Sequence, residues 1–144
     1  GSWSQYVAKT VKSGRLVSVD LKEMENIENT MQIKGDFTKK ETQEKIRSNF
    51  NSKVNVVLSD MAVNTTGIKD IDAIYTGELC KEAMVFSKDI LVKEGNFIAK
   101  IFLGTSFNEI VASAKTIFKE VKVFKPKSSR KESKESFIIC KILR

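Results

Sequence analysis

Residues 54–60 read Val-Asn-Val-Val-Leu-Ser-Asp, an aliphatic run rich in β-branched side chains that ends in an acid. Such a run predicts a buried β-strand. Comparable runs predict further strands at residues 16–20, 31–34, 96–102, 121–124 and 137–142. Amphipathic stretches between them predict helices at residues 3–12, 38–50, 70–92 and 106–118. Strands that alternate with helices predict an α/β fold with a mostly parallel sheet.

The last two predicted strands are separated only by residues 125–135, which show no helical pattern. A parallel crossover needs about a dozen residues or more, usually including a helix. We therefore expect the last strand to run antiparallel to the strand that precedes it in sequence.

The composition limits the classes of protein to consider. The chain has 144 residues, 41% of them hydrophobic, which suits a single domain over residues 1–144 with one core. No apolar run approaches the roughly 20 residues that span a bilayer, so no membrane association is expected. Because there is no histidine, a His-based triad, a Cys–His pair and a typical metal site are disfavoured. Cys80 and Cys140 are expected to be reduced core residues.

The positive charge is concentrated near the end of the sequence. The net charge is +7, and residues 119–144 carry 9 basic and 3 acidic side chains. This imbalance predicts either a polyanionic partner or an ordinary solvated surface, and charge alone does not separate the two. The loop at residues 125–135 is rich in cations and hydroxyls, so it either binds phosphates or is an ordinary polar hairpin loop. Its candidate phosphate contacts are Lys125, Lys127, Ser128, Ser129, Arg130, Lys131 and Lys134.

Four residues at the ends of predicted strands are candidates for a ligand site, because ligands of open α/β sheets bind at the carboxyl edge. They are Asp20, Asp36, Asp60 and Lys100. An acid such as Asp20 can hold a ribose hydroxyl, although it can equally form a turn. Lys100 interrupts an apolar strand, so it either reaches a reacting centre or extends to solvent. There is no phosphate-binding loop of the Walker type.

Taken in order, these segments resemble RNA ribose 2′-O-methyltransferases of the RrmJ/FtsJ type over essentially the whole chain. The similarity lies in Gly1-Ser2-Trp3-Ser4-Gln5, Val19-Asp20-Leu21, Gly35-Asp36-Phe37, Ser59-Asp60-Met61-Ala62, Ile98-Ala99-Lys100 and Lys125-Pro126-Lys127-Ser128-Ser129-Arg130 with Glu135. Val63 departs from the pattern, which has a proline there. The resemblance implies a Rossmann-like methyltransferase sheet and methyl transfer from S-adenosylmethionine to a ribose 2′-hydroxyl, with large-subunit ribosomal RNA as substrate.

The resemblance also assigns roles to individual residues. Lys100 would be the central catalytic residue, with Asp60 and Glu135 as its acidic companions. The cofactor contacts would be Gly1 and Trp3 at the methionine side, Asp20 at the ribose, Asp36 and Phe37 at the adenine, and Asp60 near the methionine ammonium. The expected partner is RNA or the large ribosomal subunit, bound by a monomer in the cytoplasm, or in an organelle matrix if the source is eukaryotic.

In the family that this chain resembles, a first strand, most of the glycine-rich cofactor loop and a further lysine precede the position of Gly1. The sheet is therefore expected to lack its first strand, and these 144 residues alone are expected to have weak activity or none. Three rivals remain: a catalytically degenerate domain that only binds RNA or cofactor, a nicotinamide-dependent dehydrogenase, and a structural interaction protein. Retention of Asp60, Lys100 and Glu135 argues against the first, and titration of S-adenosylmethionine against NAD separates the second.

Overall fold

The computed structural model describes residues 16–20, 30–59, 69–102, 107–125 and 135–144, which contain six strands and three helices. In chain order these are β1 (Leu16–Asp20), β2 (Thr30–Lys34), α1 (Lys40–Ser48), β3 (Val54–Ser59), α2 (Lys69–Ile90), β4 (Leu91–Phe102), α3 (Phe107–Ile117), β5 (Phe118–Phe124) and β6 (Glu135–Leu143). The chain divides into two compact units, Gly1–Ser52 and Lys53–Arg144. None of the described helices is long and apolar enough to cross a membrane.

The first unit is built on a parallel pair of strands. β1 and β2 pair in register from Leu16 with Thr30 to Asp20 with Lys34. α1 follows β2 and buries one side through Thr42 and Ile46, four residues apart, as an amphipathic helix does. The predicted helix at residues 3–12 lies outside the described residues.

The second unit contains a four-stranded sheet in the order β3-β4-β6-β5. β3 and β4 are parallel, whereas β6 runs antiparallel to both of its neighbours, β4 and β5. Three strands therefore point one way and β6 points the other. The prediction of a mostly parallel sheet with an antiparallel last strand is confirmed. The position of β6 between β4 and β5 was not predicted.

One face of this sheet forms the core with helices α2 and α3. Along β4 the side chains of Phe97, Ala99 and Ile101 are fully buried, and they alternate with the less buried Ile98 and Lys100. This is the period of two expected of a strand with one covered face. The ring of Phe97 stacks on Phe118 with centroids 6.1 Å apart, which fixes β5 against the same core.

The two cysteines are free and buried, as the sequence predicts. Burial raises the pKa of the Cys80 thiol to about 12. Burial also raises the pKa of the Cys140 thiol to about 12, and the nearby Cys80 adds to that rise. Both side chains are therefore neutral, apolar parts of the core.

The boundary between α2 and β4 was predicted wrongly. Leu91 and Val92 continue the apolar spacing of α2, yet β4 already begins at Leu91. The register between β3 and β4 shifts, because Val54 pairs with Leu91 but Val56 pairs with Asn96. Residues 92–95 of β4 are inserted at this shift. A Cβ on Gly95 would lie 2.9 Å from the backbone oxygen of Val92 and 3.1 Å from that of Asn55, so this position favours glycine.

Candidate functional site

The carboxyl edge of the four-stranded sheet gathers most of the predicted catalytic positions. β3, β4 and β5 all end at this edge, and the antiparallel β6 begins there. Asp60 directly follows the last residue of β3, although Asp60 itself lies outside the described residues. Glu135 is the first residue of β6. The topology therefore brings together segments that are far apart in sequence.

Lys100 lies near the end of β4 and is half-buried. It occupies the face of the sheet opposite to Phe97, Ala99 and Ile101, because side chains alternate along a strand. This explains a lysine in an otherwise apolar segment, since only alternate positions of β4 enter the core. Across the ladder the neighbour of Lys100 is Phe137.

Glu135 and Lys100 occupy diagonal positions in the β4–β6 ladder. Glu135 pairs with Phe102, and Phe137 pairs with Lys100, so the two positions are offset by two residues. Diagonal positions on adjacent strands are about 7–8 Å apart, which long side chains can span. The next strand contributes Ser59, whose backbone pairs with Ala99, one residue before Lys100.

A second group of predicted positions lies in the first unit, at the carboxyl ends of β1 and β2. Asp20 is the last residue of β1, and its backbone pairs with Lys34 at the end of β2. Asp36 and Phe37 follow the end of β2 after one intervening residue, Gly35, and both are half-buried. The parallel pairing therefore places the predicted ribose and adenine positions at one edge of the two-stranded sheet.

Asp36 is held by a hydrogen-bonded turn. Its Oδ1 accepts a hydrogen bond of 2.9 Å from the backbone N–H of Thr38 and one of 2.6 Å from the Thr38 hydroxyl. The hydrogen bonds from Thr38 lower the pKa of Asp36 below its usual value of 3.8, so its carboxylate is ionised at neutral pH. Both bonds use one oxygen, and an ionised carboxylate has further acceptor capacity on the other.

Two residues that support this loop were missed in the sequence. Thr38 orients Asp36, and the side-chain amide of Gln43 donates a hydrogen bond of 3.0 Å to the backbone oxygen of Phe37. The spacing Asp36-x-Thr38 is a recognised signal for a side-chain turn and could have identified Thr38. Gln43 lies on α1, and no local pattern connects it to Phe37.

Several of the predicted contacts lie outside the described residues. They are Gly1, Trp3, Asp60, Lys127, Ser128, Ser129, Arg130, Lys131 and Lys134. Of the basic loop, Lys125 is described and is exposed directly after β5. The roles predicted for all these residues remain predictions.

Comparison with known sequences identifies the family. Residues 1–143 match the model of the FtsJ-like methyltransferases. The chain is 80% identical over 144 residues to ribosomal RNA large subunit methyltransferase E of Pelagibacter ubique, covering all of this chain and 71% of that protein. It is 43% identical over 146 residues to the protein of the same name from Rickettsia bellii, and that match covers 97% of this chain and 64% of the relative.

Solved structures agree with the fold. The crystal structure of a candidate ribosomal RNA methyltransferase from Plasmodium falciparum has a TM-score of 0.86 and 28% identity to this chain. That match covers 99% of this chain and 81% of the other. Human methyltransferase-like protein 13, solved with S-adenosylhomocysteine, has a TM-score of 0.69 at 14% identity, covering 99% of this chain and 67% of the other, and supports the fold alone. The predicted methyltransferase fold is confirmed.

Proposed function

The chain belongs to the FtsJ-like methyltransferase family, and from this premise we propose that it methylates the 2′-hydroxyl of a ribose in large-subunit ribosomal RNA. The proposed methyl donor is S-adenosylmethionine. The observation that carries the proposal is the half-buried Lys100 at the carboxyl edge of the sheet, in the ladder that also contains Glu135 and next to the strand that leads into Asp60. The ribosomal substrate is supported by the name of the relative that is 80% identical.

The first unit supplies residues whose chemistry fits the nucleoside part of the cofactor. Asp36 is ionised and uses one carboxylate oxygen for its turn, so its Oδ2 is suited to accept a hydrogen bond from the adenine amino group. Phe37 offers an apolar ring beside it, and Asp20 ends the adjacent strand where a ribose hydroxyl is commonly bound. Gly1, Trp3 and Asp60 are proposed to contact the methionine portion.

The second unit supplies the residues for the transfer. S-adenosylmethionine, when bound, supplies an electrophilic methyl group on a positively charged sulfur. Methyl transfer is an in-line displacement, in which the bond from the ribose oxygen to the methyl carbon forms as the carbon–sulfur bond breaks. We assign Lys100 Nζ to the 2′-hydroxyl. As a neutral amine it orients the oxygen and takes up the proton that leaves it, and Asp60 and Glu135 then accept hydrogen bonds from the ammonium that forms.

The basic end of the sequence is the proposed RNA surface. Residues 119–144 carry a net charge of +6, and Lys125 is exposed where β5 ends at the same edge as Lys100. The predicted contacts Lys127, Ser128, Ser129, Arg130, Lys131 and Lys134 continue from it. We propose that this segment binds phosphates around the target nucleotide, and that the protein acts as a monomer in the cytoplasm.

The test is transfer of labelled methyl groups from S-adenosylmethionine to undermethylated large-subunit RNA by the full-length protein. Lys100→Ala is expected to reduce the transfer by at least about 100-fold, the usual contribution of a positioned acid or base. Lys88→Ala, which removes an exposed lysine of α2, is the matched control and should retain activity. Resistance of the product to alkaline hydrolysis at one position identifies a 2′-O-methyl group.

Two results would contradict the proposal. Equal activity of the wild type and Lys100→Ala would remove Lys100 from the mechanism. Binding of RNA without any methyl transfer by the full-length wild type would favour the catalytically degenerate domain instead.

A further inference from the structure

An exposed aromatic side chain lies in the same cross-strand row as Lys100. Phe124 is the last residue of β5 and is 53% exposed. It pairs with Phe137 of β6, which in turn pairs with Lys100 of β4. Cross-strand partners project from the same face of a sheet, so Phe124, Phe137 and Lys100 share the face opposite to the one on which α2 and α3 pack.

The separation across this row suits adjacent nucleotides. Neighbouring strands are about 4.8 Å apart, which places Phe124 about 10 Å from Lys100 across the intervening β6. Successive stacked bases are about 3.4 Å apart along one strand, and the distance increases when bases are splayed. The span therefore corresponds to about one to three nucleotides.

The charges around Phe124 favour a nucleic acid over an apolar protein partner. Lys122, two residues earlier on the same face, is exposed, and so is Lys125, which follows directly. An exposed ring between lysines on an edge strand combines the two features that bind single-stranded RNA: cations for the backbone and an aromatic face for a base. An apolar partner would instead require the desolvation of both lysines.

We propose that Phe124 is a stacking platform for a base next to the nucleotide whose ribose is presented to Lys100. This inference rests on the proposed function and adds a positioning residue for the RNA. Phe124 does not touch the reacting atoms. It fixes the register of the strand, so that one particular ribose reaches the carboxyl edge of the sheet.

The test compares Phe124→Leu with Phe124→Tyr in the full-length protein. Leucine keeps apolar bulk on the edge strand but lacks a π-face, whereas tyrosine keeps the ring. Phe124→Leu is expected to raise the Kd for a single-stranded RNA by about 5- to 150-fold, the range for loss of one stacked base. Phe124→Tyr should bind like the wild type. Val85→Ala, which trims another exposed apolar side chain on α2, should leave RNA binding unchanged.

Two further readouts separate stacking from a structural or electrostatic role. The dependence of log Kd on log salt should be the same for Phe124→Leu and the wild type, whereas Lys122→Ala should reduce its slope by about 0.7 for each lost phosphate contact. Fluorescence of a 2-aminopurine base in the RNA should be quenched by the wild type and by Phe124→Tyr, and not by Phe124→Leu.

The inference is overturned if Phe124→Leu binds RNA within twofold of the wild type while the wild type still methylates RNA. That result would leave the proposed function intact. It is also overturned if the substitution changes the oligomeric state in sedimentation and not RNA affinity, because Phe124 would then contact a second copy. A wild type that neither binds nor methylates RNA would refute both proposals.

Discussion

Position 35 requires a glycine because a side chain there would clash with α1, and not because its backbone conformation is one that only glycine adopts. A Cβ at this position would lie 2.9 Å from Oγ1 and 3.3 Å from Cγ2 of Thr42, on α1. Thr42 is only 7% exposed, so its side chain has little room to retreat. We predict that Gly35→Ala lowers the free energy of unfolding by about 1–2 kcal/mol, because overpacking costs about 1–3 kcal/mol and reduced freedom of the unfolded chain offsets about 0.4–1 kcal/mol.

The effect of Gly35→Ala on the free energy of unfolding should change sign when the Thr42 side chain is shortened. In a Thr42→Ala background the two close atoms are gone, and the remaining neighbour, the Cβ of residue 42, is 3.7 Å away at ordinary contact distance. Gly35→Ala should then stabilise the protein by up to about 1 kcal/mol through the unfolded state alone. The two substitutions should therefore show a coupling energy of about 1–3 kcal/mol.

The assay is urea unfolding followed by circular dichroism for the wild type, both single variants and the double variant. Calorimetric titration with S-adenosylmethionine adds a functional readout, because displacement of the segment after β2 should move Asp36. Gly35→Ala should weaken binding, and the double variant should recover it. Additive effects, with a coupling energy below about 0.5 kcal/mol, would refute the steric explanation.

Two more predictions concern the second unit. Gly95→Ala should lower the free energy of unfolding by about 1–3 kcal/mol in the same assay, because its Cβ would lie 2.9 Å from the backbone oxygen of Val92, which no side-chain substitution removes. Unchanged stability would contradict the close backbone contact between Val92 and Gly95 within β4. Cys80 and Cys140 should not react with a thiol reagent at pH 8 in the folded protein, because burial raises the pKa of each thiol to about 12. Both should react once urea has unfolded the protein. Rapid labelling without denaturant would contradict their burial.

The regular elements were predictable where one periodicity dominated. The helix predicted at residues 106–118 was found at Phe107–Ile117, because its apolar positions recur at helical spacing without interruption. The start of β4 was not predictable, since Leu91 and Val92 extend the spacing of α2 and only the pairing with β3 decides their conformation. Local pattern could not distinguish a helix end from a strand start there.

The candidate site residues could be predicted from the sequence, but most of the residues that hold or accompany them could not. Asp36 and Lys100 could be selected because both stand near strand ends. Their partners could not be selected in the same way. Gln43 reaches Phe37 only after α1 has packed, and Phe124 aligns with Lys100 only because β6 lies between their strands. The order of strands in a sheet depends on contacts between residues far apart in sequence, so local hydrophobic patterns do not predict it.

The interior position of β6 has a consequence for biosynthesis. Among the described strands β6 is the last to be made, yet it forms the bridge between β4 and β5. While the ribosome is still adding these residues, β5 has no neighbour in that sheet, and both strands expose unsatisfied amides. When β6 pairs with β4 and β5, the four-stranded sheet is complete, and Glu135 then lies opposite Phe102, two residues after Lys100 in β4. Under the proposed mechanism, a nascent chain that ends before β6 would lack the acidic companion of Lys100, so methyl transfer is expected only after β6 has paired with β4.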